Sequence, residues 1–186
     1  MHEDILDYNY EEGYQEPSFE YAGFLIRVGA SFIDALVFIP LGILNTFNAI
    51  SIKSLPLEFV ILIVSLGYKP FLEHQYGGTL GKMALKIRVV DVQGGPLQVT
   101  QAIIRSIPFL LVGAVSALTT LAVHLSVGFG AIESLAEYNL LMSQAGYSLL
   151  SNLVNGFFII SCLLVAFHPK RQALHDMMAQ TYCIHH

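Results

Sequence analysis

The sequence predicts an all-α membrane protein, a four-transmembrane-helix bundle that carries a small cytoplasmic helix-strand cap. Of the 186 residues, 54% are hydrophobic and only 12% are charged, and the mean hydropathy is +0.60. Soluble domains carry about 25% charged residues, so this composition is typical of a membrane protein. Four apolar segments and a one-sided distribution of Lys and Arg support the same prediction.

The four predicted membrane spans cover about residues 21–45, 56–73, 103–125 and 149–167. A membrane-spanning helix needs about 20 mainly apolar residues, a length that these segments meet or approach. Between the third and fourth spans we expect an exposed loop with a short interfacial helix, or alternatively a re-entrant segment. The chain shows no internal repeat, so any symmetry that a transporter needs would come from a homo-oligomer.

The basic residues predict the orientation of the bundle. Seven of them border the loop after the second span or follow the fourth span: Lys69, Lys82, Lys86, Arg88, Arg105, Lys170 and Arg171. The opposite side has only Lys53. Because cytoplasmic loops carry the excess of Lys and Arg, both termini are expected in the cytoplasm, and the protein in the plasma (inner) membrane.

The first 20 residues are predicted to form an acidic, disordered cytoplasmic tail. They contain seven of the 14 acidic residues in a chain whose formal net charge is −5. A basic region followed by an apolar core is missing from this stretch, so a cleavable signal peptide is not expected. Residues 21–186 then form the predicted transmembrane domain.

The cap is predicted from the loop after the second span and from the C-terminal tail. In residues 77–87, apolar residues recur at helical spacing with Lys82 and Lys86 on the other face. This pattern predicts an amphipathic helix in the headgroup layer. A β-branched stretch follows and ends at a Gly-Gly-Pro turn, which predicts a strand. We expect Val89–Val92 to pair with Thr181–Ile184 in a two-stranded ribbon.

Two charged residues, Arg27 and Asp34, interrupt the first span. A charge near the middle of a membrane helix costs about 2.5–3.5 kcal/mol on insertion scales, so it normally faces protein or water. Seven residues of helix place the two side chains on one face, about 10 Å apart, too far for a direct ion pair. Each is therefore expected to find its partner on another segment or through water.

Three stretches of the chain resemble the RDD family of small membrane proteins, which is named for one arginine and two aspartates. In chain order they are AGFLIRVGASFIDAL, GGTLGKMALKIRVVDVQGGPL and KRQALHDMMAQT. The resemblance implies that Arg27 and Asp34 are the first two signature residues. It implies Asp176 as the second aspartate, with Asp91 as the alternative. The family's suggested activity is transport of ions or small solutes, including sodium/proton exchange.

Arg27 is expected near the cytoplasmic end of the first helix, the side to which Asp176 returns. An ion pair between them would dock the tail against this helix; alternatively, Arg27 reaches lipid phosphates without a protein partner. Arg105 lies near the inner end of the third span, and we expect a structural or lipid-facing role for it. Its candidate partners are Glu73, Asp91 and Asp176.

Asp34 is expected near the middle of the membrane. A carboxyl group in a low dielectric favours its neutral form, a property that proton and cation relays use. The structural alternative is a neutral Asp34 that hydrogen-bonds across helices. Candidate partners lie on the third and fourth spans, where the same residues also suit a packing seam: Gly113, Ser116, Thr120, His124, Asn152 and Asn155.

The sequence thus supports two classes of function. The first is a transporter that exchanges monovalent cations such as Na⁺ for H⁺, in which Asp34 binds both ions in turn. Arg27 would either bias the ionisation of Asp34 or gate the inner mouth. The second is a membrane scaffold in which the same charges only fix the helix arrangement. Besides the lipid bilayer we expect no nucleic-acid partner, no cofactor and no enzymatic activity. GGTLGK lacks the spacing and the Ser or Thr of a phosphate loop.

Overall fold

The computed structural model describes residues 19–144 and 148–185 as a mostly helical protein with one small sheet. Residues 1–18, which make up most of the predicted acidic tail, lie outside the described residues. In chain order the elements are α1 (Phe24–Phe47), α2 (Leu55–Tyr76), α3 (Leu80–Ala84), β1 (Ile87–Asp91), α4 (Val99–His124), α5 (Leu135–Gln144), α6 (Ser148–Phe167), α7 (Leu174–Met178) and β2 (Thr181–His185).

Three of the described helices are long and apolar enough to cross a membrane. These are α1, which continues as a π-helical turn to Ile52, and α2 and α4. On α1, Leu25, Phe32 and Ile43 expose 81%, 67% and 65% of their surface, as expected for side chains that contact lipid. The 20-residue helix α6 lies where the fourth span is predicted, and its passage through the membrane stays a prediction.

The boundaries of α2 follow from ordinary capping chemistry. At its start, the Ser54 side chain accepts a hydrogen bond from the Leu57 N–H, and Pro56 lies in the first turn, where no helical donor is lost. At its end, Gly77 adopts the left-handed conformation with φ of 76°. The chain leaves the second span there and turns back toward α1.

The helices pack around α4, which contacts α2, α5, α6 and α7. The two helices α2 and α4 pack tightly at Gly113, because a Cβ atom there would overlap the side chain of Leu66. Helix α1 packs mainly against α3 and also contacts α6. The short helix α3 therefore takes a place beside a membrane-spanning helix.

The cap contains a two-stranded sheet, as the sequence predicts, but its first strand covers Ile87–Asp91 rather than Val89–Val92. Strands β1 and β2 pair in antiparallel register, with Val89 opposite Cys183. Both side chains are buried, and with Ile87 and Ala30 they belong to one apolar cluster. The cap thus shares its core with α1.

The predicted amphipathic helix is shorter than expected. It ends after five residues at Ala84, and Ile87 is buried in β1 instead of continuing the helix. Lys86, between the two elements, adopts a left-handed conformation with φ of 55°. Lys82 points into the protein rather than to the headgroup layer, since it contacts the buried Glu73.

The end of the bundle opposite the cap has a second apolar cluster. Phe129, Ile132 and Tyr138 pack there against Ala49 and Val123. The segment after α4 was expected to form an exposed loop with an interfacial helix. It contains the helix α5, but its aromatic and aliphatic side chains close the end of the bundle.

Candidate functional site

The cap end of the bundle holds five buried or part-buried charged side chains in one connected group, which we call the charge cluster. It consists of Arg27, Glu73, Lys82, Arg105 and Asp176. The side chains come from α1, α2, α3, α4 and α7, so the cluster joins most of the elements of the fold. Glu73, Arg105 and Asp176 have no exposed side-chain surface.

Arg105 lies at the centre of the charge cluster. Its Nε donates to Glu73 Oε2 at 2.9 Å, and its Nη1 lies 2.7 Å from Asp176 Oδ1. The same guanidinium donates to the Thr181 hydroxyl in β2. A lipid-facing role for Arg105 is therefore wrong, because an arginine with two carboxylate partners and no exposure is a buried structural link.

Arg27 connects the first helix to the tail. Its Nη1 donates to Asp176 Oδ2 at 2.5 Å, and its remaining nitrogens donate to the carbonyl oxygens of Ala22 at 3.0 Å and Arg171 at 2.6 Å. The ion pair between Arg27 and Asp176, which the sequence predicts as one alternative, is thus present. Since all three guanidinium nitrogens have protein acceptors, the alternative in which Arg27 reaches phosphates without a protein partner is wrong.

Asp176 is the tail residue that receives both arginines. Burial alone would raise its pKa, but the neighbouring cations, led by Arg105, hold the pKa of this carboxyl well below its usual range. Its Oδ2 also accepts from the Ala173 N–H at 3.1 Å and so caps α7. Asp91 is elsewhere: its Oδ1 accepts from two backbone N–H groups in the turn after β1. Of the two candidates for the second aspartate, Asp176 is the one inside the cluster.

His175 faces the cluster in its neutral form. Burial, followed by the positive charge of Lys69, lowers the pKa of His175 to about 3. Its Nε2 lies 3.3 Å from Asp176 Oδ1. The imidazole therefore adds a polar neighbour to Asp176 near neutral pH without adding a charge.

Asp34 lies outside the charge cluster. Its Oδ1 accepts from the Tyr68 hydroxyl and from the Gly81 N–H, both at 2.7 Å, and its Oδ2 accepts from the Thr79 hydroxyl at 2.6 Å. All three donors are neutral. Within the part of the chain that the structure describes, Asp34 has no cationic side chain at ion-pair distance.

The donors to Asp34 come from α2 and from the start of α3. Candidate partners on the third and fourth spans were therefore wrong for this residue. Asn152 and Asn155 are exposed on α6, and the other candidates lie along α4. Sequence periodicity could not find the real partners, because two of them, Thr79 and Gly81, lie at the N-cap and in the first turn of a five-residue helix that packs on α1.

A cavity of about 320 Å³ lies between Asp34 and the charge cluster. Asp34, Ser31 and Thr79 supply oxygen atoms to its lining, and α6 supplies apolar side chains such as Ile159 and Leu163. Lys69 also lines it and donates to the Arg105 carbonyl at 3.3 Å. In the sequence, Lys69 contributes only to the predicted orientation and is not singled out as a site residue. A basic residue inside an apolar span is nevertheless the same signal that identified Arg27.

The candidate site thus has two parts. One is the charge cluster, in which every member has an ion-pair partner, and the other is Asp34, a separate carboxylate that lines the cavity.

The family model of the RDD family matches residues 21–180, which is most of the chain. No curated protein and no solved structure gives a significant match. The matched region contains Arg27, Asp34 and Asp176, together with the apolar helices α1, α2 and α4. The chain therefore belongs to the RDD family and is a membrane protein.

Proposed function

We propose that this protein exchanges monovalent cations for protons and that Asp34 binds the two ions in turn. The observation that carries the proposal is the difference between Asp34 and the acids of the charge cluster. Glu73 and Asp176 each contact cationic side chains, whereas Asp34 has neutral donors within the described residues. A carboxylate without a counter-charge is the group that a proton or a cation can neutralise.

The surroundings of Asp34 offer oxygen ligands to a hard cation. An ionised carboxylate has about four acceptor positions, and hydrogen bonds from Tyr68, Thr79 and Gly81 fill three of them. The hydroxyls of Ser31 and Thr79 line the same cavity as the carboxylate. Oxygen atoms are the ligands that hard cations prefer, so Asp34, Ser31 and Thr79 form the candidate ion site.

Four Lys and Arg side chains line the cavity that Asp34 also lines. Arg27, Lys82 and Arg105 line it but are paired within the charge cluster. Lys69 adds a positive charge that has no carboxylate at ion-pair distance among the described residues. Lys69 therefore lies on the same cavity as Asp34 without a carboxylate of the charge cluster at ion-pair distance.

In this proposal α3 has a role as well. The Thr79 hydroxyl and the Gly81 N–H, two of the three donors to Asp34, belong to the start of this helix. A small displacement of α3 would remove both donors together and leave the carboxylate to a cation. In this proposal, Arg27 holds the tail through Asp176 while α3 controls access to Asp34.

A non-transporting scaffold is the second candidate, and the saturation of the charge cluster favours it. All five members have protein partners, and Asp34 also fixes α3 on α1. In this case the charges hold the cap on the helices and nothing crosses the membrane. The two candidates differ in one observable property, which is cation-dependent proton movement.

The test uses purified full-length protein in liposomes that contain a pH-sensitive dye. Gradients of Na⁺, K⁺ and Li⁺ are applied to the wild type, to Asp34→Asn and to the control variant Glu133→Gln. Glu133 is an exposed acid at the opposite end of the bundle, so its substitution controls for the loss of one carboxylate. The proposal expects proton flux in the wild type and the control, and loss of that flux in Asp34→Asn.

The substitution Asp34→Asn is chosen because it removes the charge and retains the hydrogen bonds. The amide oxygen can accept from Tyr68 and Gly81, and the amide nitrogen can donate to Thr79, whose hydroxyl rotates to accept. The variant is therefore expected to unfold within a few degrees of the wild type. A wild type that moves no protons under any gradient would favour the scaffold instead.

A further inference from the structure

Another buried carboxylate lies at the end of the bundle opposite the cap. Glu58, in the first turn of α2, is only 8% exposed. Its Oε2 accepts from Asn48 Nδ2 at 2.8 Å. With the amide of Asn45 oriented so that its nitrogen faces the carboxylate, Asn45 donates at 2.8 and 3.0 Å. Both donors are neutral amides.

The charge of Glu58 is not balanced by the protein residues that the structure describes. No Lys, Arg or His among them lies at ion-pair distance from its carboxylate. The nearest basic residue in sequence, Lys53, donates instead to the carbonyl of Gly130 at 2.7 Å. Asn48 explains how the carboxylate is held, because it also binds both backbone groups of Ser54. Asn48 is a neutral amide, however, and supplies no counter-charge to the carboxylate.

Glu58 faces a cavity of about 270 Å³ between α1, α2, α4 and α5. A water molecule takes up about 30 Å³, so the cavity holds more than a bare ion. The hydroxyl-bearing residues Ser65, Ser116 and Thr120 line one part of it. The rest is aromatic or apolar, with Phe59, Leu62, Tyr138 and Met142.

This combination differs from the surroundings expected of a bare metal ion. One carboxylate matches one positive charge, and aromatic rings attract cations most strongly when the cation has lost its water. Methionine adapts its shape to apolar groups of a ligand. Burial, and then the negative charge of Glu58, raises the pKa of Tyr138, so its ring remains a neutral phenol near neutral pH.

We propose that this pocket binds a small organic ammonium ion, with Glu58 as its counter-charge and with Phe59 and Tyr138 as its aromatic walls. The amides of Asn45 and Asn48 donate to the carboxylate and hold it in place. The site is separate from Asp34 and from the charge cluster, and binding there does not depend on cation exchange at Asp34.

The test is ligand binding to the purified full-length protein in detergent. Tetramethylammonium chloride is the probe, and sodium chloride at equal concentration controls for ionic strength. Thermal unfolding is followed by tyrosine fluorescence, since the chain has nine Tyr and no Trp. Saturating tetramethylammonium is expected to raise the unfolding temperature by about 3 °C or more in the wild type. Sodium chloride is expected to produce a much smaller shift.

Four variants decide the proposal. Glu58→Gln is expected to abolish the shift, while Glu133→Gln, an exposed acid on the same end, and Asp34→Asn both retain it. If Glu58→Gln does not fold, Tyr138→Leu carries the test by equilibrium binding, with affinity expected to fall about tenfold. An equal shift with sodium chloride would overturn the proposal in favour of a metal-cation site. A tetramethylammonium shift that survives both Glu58→Gln and Tyr138→Leu would also overturn it.

Discussion

The Cα atom of Gly81 packs so tightly against Ala30 that a Cβ atom on Gly81 would overlap the Ala30 carbonyl oxygen. The same Cβ atom would lie 2.9 Å from Cγ of Asp34. This contact holds the first turn of α3 on the face of α1 that carries Asp34. Glycine is required here for close approach of two backbones, rather than for an unusual backbone conformation.

Gly81→Ala is therefore expected to push α3 away from α1 and to weaken the hydrogen bond from residue 81 to Asp34. Overpacking at a tight contact costs about 1–3 kcal/mol, so the unfolding temperature should fall. Gly42→Ala is the matched control, since no atom lies within 4 Å of a Cβ built on this α1 glycine. Thermal unfolding of the two variants in detergent measures the difference. Equal unfolding temperatures would mean that α3 is not seated on Ala30.

Arg105→Met is expected to destabilise the protein strongly. It leaves Glu73 without its closest arginine and Asp176 with one arginine fewer, although both carboxylates are fully buried. Removal of one partner from a buried ion pair costs about 3–5 kcal/mol. Lys86→Met is the control variant, because it removes one positive charge from an exposed position of the cap. Unfolding free energies from SDS titration should differ by several kcal/mol between the two variants, and a difference below about 1 kcal/mol is incompatible with a buried cluster.

Acid is expected to destabilise the protein through His175. The pKa of His175 is about 3 in the folded protein, against 6.5 for an unperturbed histidine. Between these values the unfolded chain binds a proton that the folded protein does not, so stability falls as the pH falls through this window. The contribution approaches about 1.4 kcal/mol per pH unit. Asp176 acts in the same direction at lower pH, because its stabilising contribution is present above its unfolded pKa and is lost as the pH falls through its lowered folded pKa.

His175→Gln isolates the histidine contribution. The variant keeps a polar side chain beside Asp176 but has no group that titrates between pH 6.5 and 3. Its stability should depend on pH less steeply than that of the wild type, and unfolding temperatures between pH 6.5 and 4.5 measure the two slopes. Identical slopes would show that His175 is not buried as a neutral imidazole.

Cross-linking can check the register of the cap. Arg88 and Ile184 are directly opposite each other in the antiparallel sheet. Directly opposite residues lie about 5 Å apart, and diagonal ones about 7–8 Å apart. In a background without native cysteines, Arg88→Cys with Ile184→Cys should oxidise faster than Arg88→Cys with Tyr182→Cys, as followed by gel mobility. The reverse order would place the strands in another register.

The features that the sequence predicts are those that residue type and position along the chain determine. The ribbon of β1 and β2 was predictable because both segments contain β-branched residues and the distribution of Lys and Arg predicts both on the same side of the membrane. The contact of Arg27 with Asp176 was predictable because a charge inside a membrane helix needs a partner and Asp176 returns to that end.

The partners of Asp34 were not predictable in the same way. One of them is the backbone N–H of Gly81, and a backbone group has no side-chain signature in a sequence. The position of α3 depends on its tight contact with Ala30, which is a tertiary contact of a helix too short to show a reliable period. Glu58, by contrast, could have been singled out, because it is an acid inside an apolar segment.

The central claim is that a proton and a monovalent cation compete for the Asp34 carboxylate. Binding of radioactive sodium to the purified protein tests it directly, with wild type and Asp34→Asn measured at several pH values. We predict saturable sodium binding to the wild type that weakens as the pH is lowered and is lost in Asp34→Asn, while Glu58→Gln retains it. Sodium binding that is equal in the wild type and Asp34→Asn, or that does not respond to pH, would contradict this account.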